Sequence, residues 1–137
     1  MVKLSMPDLL PKVWAAYMAK ELQAQDPKLA SGVSCRYDGP CAIGVGIPEA
    51  QRARLDRSDT PEISFLIRTG KVKISDGELE FEYNKLQSNH DNWTHYTSQG
   101  EPRAEDAKLS ETRFVEYLKI LSKKYGVEIP NVESTQS

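Results

Sequence analysis

Residues Lys71–Trp93, KVKISDGELEFEYNKLQSNHDNW, decide the fold. Two periodicities compete in them. Val72 and Ile74, then Leu79, Phe81 and Tyr83, alternate with charged residues around Ser75-Asp76-Gly77. Period two across an Asp-Gly turn is a hairpin signal. Leu79, Tyr83, Leu86 and His90 instead recur at spacings of three to four, the period of a helix face. We read a short strand over 71–74 and a helix that begins between Glu78 and Tyr83 and runs on through Trp93. A hairpin remains the alternative across 71–83.

Upstream, Leu9, Leu10, Val13, Trp14, Tyr17, Met18 and Leu22 form one apolar stripe at helical spacing. This predicts an amphipathic helix over Met6–Gln25. Ser5 is placed to cap it, Pro7 and Asp8 suit its first turn, and Pro27 stops it. Ser31–Ile47, SGVSCRYDGPCAIGVGI, has a different texture, with four of the eight glycines and the branched residues Val33, Ile43, Val45 and Ile47. Tyr37-Asp38-Gly39-Pro40 is a turn signal between short apolar runs, so a small β-hairpin is expected near residues 34–46. Gly44 and Gly46 point to close approach by another group. Pro48 then opens a short helix, and Thr60-Pro61-Glu62 starts another with Ile63, Phe65, Leu66 and Ile67 on its buried side and Gly70 as its cap.

Downstream, Thr97–Leu109, TSQGEPRAEDAKL, reads as a polar, mobile connection. Ser110 is expected to cap a last helix lined by Phe114, Leu118 and Leu121, with Tyr117 and Ile120 beside them. Gly126 ends it, and Val127 is placed for the contact that follows such a cap. The expected organisation is one domain over residues 1–130 and a flexible tail over 131–137.

Composition narrows the class. The 137 residues carry 18 Lys and Arg against 20 Asp and Glu, a net charge of −2, which argues against a dedicated duplex-binding domain. Mean hydropathy is −0.56, and no apolar run approaches the roughly 18 to 20 residues of a membrane span. No basic stretch followed by an apolar one marks a secretory leader. Two cysteines are too few for a secreted disulfide scaffold. A soluble, cytoplasmic domain of mostly helical α+β class is expected, with four to five helices.

Two motifs stand out: Cys41-Ala42-Ile43-Gly44 followed by Ile47-Pro48, and Leu86-Gln87-Ser88-Asn89-His90-Asp91. With the closing Phe114–Val127 helix and its Tyr-Gly-Val turn, this pattern resembles small bacterial and phage proteins of unassigned function, over residues 35 to 127. The resemblance implies that Cys41, Gly44, Gln87, His90 and Asp91 belong to one shared design, and that the chain is phage- or mobile-element-associated. Cys35 has no place in that pattern.

Several chemistries compete for these residues. Cys35, Cys41, His90 and His95 would supply two thiolates and two imidazoles to a tetrahedral zinc. The two histidines, five apart, diverge by about 140° on a helix. Cys41 with His90 offers the nucleophile and base of a thiol hydrolase, but the Ala-Ile-Gly-Val that follows Cys41 reads as buried. Gln87, His90 and Asp91, at i, i+3 and i+4, share one helix face and can serve unpaired backbone groups of the 38–46 turn. This structural polar network, with Cys41 and Gly44, is the preferred reading. Arg52, Arg54 and Arg57, with Trp93 and Tyr96, form a candidate surface for a protein partner, as does the 92–109 segment. The expected function is therefore that of a small non-enzymatic binding or accessory protein without a cofactor. A zinc- or thiol-dependent hydrolase built on Cys41 and His90 is the alternative.

Overall fold

The structure, a computed structural model, describes residues 2–20, 22, 42–48, 50–51 and 63–130. Val2–Leu4 form strand β1, and Met6–Met18 form helix α1. A 3-10 turn follows at Gly44–Gly46. Helix α2 spans Ile63–Arg68, strand β2 Val72–Ile74, helix α3 Glu80–Ser98 and helix α4 Ala104–Tyr125. The class is mostly helical α+β.

The 71–93 stretch resolves as strand, turn and helix. Gly77 adopts a φ of +85°, and the Glu78 N–H donates to the Ser75 carbonyl, so Asp76-Gly77 does turn the chain. The turn delivers it into α3 rather than into a second strand. Strand β2 finds its partner some seventy residues upstream: β1 and β2 run parallel, with Val2 opposite Val72 and Leu4 opposite Ile74. Val2, Leu4 and Val72 are buried while Lys3 and Lys73 point out, which is the alternation that a one-sided sheet requires.

Helix α1 is shorter than its stripe predicts. It stops at Met18, well before Pro27, because Lys20 takes a left-handed φ of 63° and turns the chain away. Leu22, beyond that bend, is still fully buried. Within α1, Met6, Leu9, Leu10, Val13 and Trp14 enter the core. The 42–46 segment packs on α1 as a turn and 3-10 helix. The hairpin expected near 34–46 therefore has no strand in its second arm, and residues 34–41 lie outside the described residues. A Cβ on Gly46 would sit 2.5 Å from Leu9 Cδ1, so the close approach expected of that glycine is real. The helix expected after Pro48 is described only at Ala50 and Gln51, both helical, with the Gln51 N–H on the Pro48 carbonyl.

Helices α3 and α4 form an antiparallel pair, the largest packing unit of the molecule. The polar connection expected at 97–109 is mostly helix. Helix α3 runs on to Ser98, Gly100 turns the corner at φ +74°, and α4 begins at Ala104 with Glu105 and Asp106 favouring its positive end. Ser110 is a buried residue inside α4, not its cap. The C-terminus of α4 is as read: Gly126 is left-handed at φ 69°, and the Val127 N–H donates to the Ser122 carbonyl at 2.8 Å. One hydrophobic core joins all these elements. Among the described residues no helix is long and apolar enough to cross a membrane. The proposed tail, 131–137, lies outside them.

Candidate functional site

Helix α3 buries polar side chains where a core helix ordinarily buries apolar ones. Tyr83, Leu86, Gln87, His90 and Trp93 occupy its inner stripe. Gln87 Oε1 accepts the Ile63 N–H at 3.3 Å. Gln87 thereby ties α3 to the first described residue of α2. His90 is fully buried, and its Nε2 donates to the Leu22 carbonyl at 2.8 Å. A carbonyl can only accept, so the ring carries its proton on Nε2 and leaves Nδ1 as a bare lone pair without a partner.

Aromatic rings enclose this histidine. Phe114 lies 5.5 Å and Trp93 5.9 Å from its ring centroid, and Tyr17 stacks against both of those neighbours at 6.2 and 5.9 Å. Burial in this setting disfavours the imidazolium and pushes the His90 pKa down to about 4, with the Leu22 hydrogen bond opposing only in part. His90 is thus a neutral strut between α3 and the chain just beyond α1. In this conformation neither ring nitrogen meets solvent.

A second polar cluster sits at the other end of α3. Glu82 is 5% exposed. It accepts from Lys124 Nζ at 2.6 Å and from the Tyr125 hydroxyl, so two consecutive residues at the end of α4 close on one carboxylate. Burial alone would raise the Glu82 pKa, but the Lys124 and Tyr125 hydrogen bonds and the Lys124 charge outweigh it and hold it below the ordinary value of 4.5. Glu78 performs a matching task at the start of α1. One of its oxygens accepts the Met6 N–H at 2.8 Å and the other accepts the Tyr83 hydroxyl. Burial, then the Glu78 bond, pushes the Tyr83 phenol far up, so it remains a donor. Farther along α4, Trp14 Nε1 donates to Ser122 Oγ at 2.8 Å and the Tyr17 hydroxyl to Glu111 at 2.7 Å, both tying α1 to α4.

Sequence reasoning missed this carboxylate cluster. A signal was present: Glu82 lies four residues before Leu86 on the inward side of the helix, where a carboxylate needs a cation. Which cation meets it depends on α4, and no local pattern names Lys124.

The outer side of the α3–α4 pair carries the largest exposed apolar side chains, Phe81 at 63% and Ile120 at 60%. Lys85 Nζ lies 5.8 Å from the Phe81 ring centroid and 4.8 Å from that of Tyr117, bridging the two helices over aromatic faces. Elsewhere, a recess of about 160 Å³ between β1, α1 and Gly46 is lined by Lys3, Ser5, Asp8 and Lys12. It is smaller than the roughly 300 Å³ at which small-molecule sites begin.

The predicted site residues separate accordingly. Gln87 and His90 do serve backbone groups of distant segments, but at Ile63 and Leu22. Asp91 is half-buried on the same helix, and Gly44 is buried in the 3-10 turn on α1. Trp93, expected on a partner surface, is 5% exposed because it lies three residues after His90 on the inner stripe. Tyr96 is half-buried, with the Arg103 guanidinium 5.8 Å from its ring. Phe65 and Leu79, expected inside, are exposed. Cys35, Cys41, Arg52, Arg54 and Arg57 lie outside the described residues, so neither the zinc set nor the Cys41–His90 pair is assembled among them. Of the zinc set, His90 has committed Nε2 to Leu22, and His95 lies on the exposed side of α3. Among the described residues no three His, Cys, Asp or Glu side chains gather as a metal site. Compared with protein-family models, curated proteins and solved structures, the chain has no match.

Proposed function

We propose that this chain is a non-enzymatic binding protein that docks another protein on the outer face of the α3–α4 pair. The observation that supports it is the exposure of Phe81 on α3 and Ile120 on α4, with Lys85 beside Phe81 reaching across to the ring of Tyr117, one turn before Ile120. Large apolar side chains standing in water beside a positioned cation and a tyrosine ring are the composition of interface centres. Beneath them Glu82 holds Lys124 and Tyr125, and Leu86, Leu118 and Leu121 are buried. Gln87 and His90, the polar side chains of the inner stripe of α3, are spent on backbone groups inside the fold.

Photo-crosslinking in cells tests the reading. Replacing Phe81 by a benzoyl-phenylalanine leaves an aromatic ring at the position. Discrete protein adducts from position 81, absent when the same probe replaces Asp76 in the exposed turn, are expected. Identical adducts from both positions would refute it.

A further inference from the structure

We infer that the partner segment accepted by this face is an acidic amphipathic helix; the inference rests on the protein-binding reading above. Charge decides the partner. The two carboxylates of the first turn of α3 are already engaged: Glu82 is buried under Lys124 and Tyr125, and Glu80 pairs with Arg68 at 2.9 Å. The cations around the face are not. Lys85, Arg113 and Lys123 make no ion pair among the described residues; Arg113 lies one turn from Tyr117 and Lys123 one turn from Ile120, against the carboxylate Glu116 one turn before Ile120. A chain with net charge −2 thus presents a locally basic face with an apolar centre.

Shape decides that the segment is helical. Two antiparallel helices leave a shallow groove between their outer stripes, and a third helix fills such a groove by setting its ridge between them. Phe81 stands on α3 and Ile120 on α4, and Lys85 reaches from α3 to the Tyr117 ring on α4. Apolar residues at i, i+4 and i+7 of the incoming helix would cover Phe81 and Ile120. Asp or Glu beside them would meet Lys85 and the flanking Arg113 and Lys123. Lys85 is the specificity element, because its ammonium is already oriented by the Phe81 and Tyr117 rings.

The test uses the full chain and a labelled twenty-residue peptide with Leu and Phe at i, i+4 and i+7 and Glu elsewhere, followed by fluorescence anisotropy. Saturable binding is expected, at least tenfold tighter than that of a scrambled peptide of equal composition. Lys85→Glu should weaken it at least tenfold, and Phe81→Ser with Ile120→Ser should abolish it. An unchanged urea midpoint in each variant certifies the fold, since all three side chains are exposed. Equal binding of the two peptides, or indifference to Lys85→Glu, would overturn the inference. So would binding of the protein to phosphatidylserine vesicles with none to the peptide. If the peptide fails while the position-81 crosslinks persist, the acidic partner is wrong and the protein-binding reading stands. Loss of those crosslinks would remove the reading itself.

Discussion

Acid should loosen this protein well above the pH at which carboxylates protonate, and His90 is the reason. Its pKa is pushed from an ordinary 6.5 to about 4 in the folded chain, first by burial. The unfolded chain therefore binds a proton at a pH where the folded one does not. The stabilisation is complete above pH 6.5 and is lost as pH falls from there toward 4. The full effect is about 3 kcal/mol, of which about 2 kcal/mol is lost between about pH 7.5 and 5. With a urea dependence of about 1.5 kcal/mol per molar for a domain of this size, the midpoint should fall by roughly 1 M over that range. Trp14 and Trp93 are both buried, and Trp93 packs on His90, so tryptophan fluorescence reports the transition. The control is His90→Gln, whose amide can still donate to the Leu22 carbonyl but does not titrate. It should be less stable than wild type at pH 7.5, because the ring packing on Phe114 and Trp93 is lost, and its midpoint should scarcely change down to pH 5. Parallel shifts of the two proteins with pH would refute the reasoning.

Further predictions concern the other buried contacts. Glu82 has a lowered folded pKa, so its stabilisation is present above 4.5 and is lost as pH falls below it; Glu82→Gln should flatten stability in that range, as read by thermal melts at pH 5 and 3. Glu82→Ala should cost about 2 kcal/mol at neutral pH in urea unfolding, since it strands the Tyr125 hydroxyl and Lys124. Ser122→Ala leaves the buried Trp14 N–H without an acceptor and should cost about 1 to 2 kcal/mol, with an altered Trp14 emission maximum. Gly46→Ala would press a methyl group on Leu9 and should lower stability by about 1 to 2 kcal/mol, measured by calorimetry; no change would place Leu9 in a looser pocket than described.

The helices were legible because their signals are local. The Leu9, Leu10, Val13 and Trp14 stripe marks α1, and Gly126 with Val127 marks the end of α4, since spacing and capping depend on a few neighbouring residues. Local signals also misled. Gly100 and Pro102 read as a long loop, though they form one tight corner between two helices. The Asp-Gly turn read as half of a hairpin, though β2 pairs with β1 from the far end of the described chain.

Sequence by itself therefore determined the class of this protein and the positions of its main helices. Tertiary structure alone decided what the polar and aromatic residues of α3 do. Periodicity allows Trp93 or Phe81 to face outward, and only the docking of α4 and α1 buries the first and exposes the second. Gln87, His90 and Glu82 acquire their roles from Ile63, Leu22, Lys124 and Tyr125, which lie 24 to 68 residues away along the chain. A hydrogen bond or an ion pair needs its partner within about 3 Å, and for residues this far apart in sequence only the folded chain sets that distance.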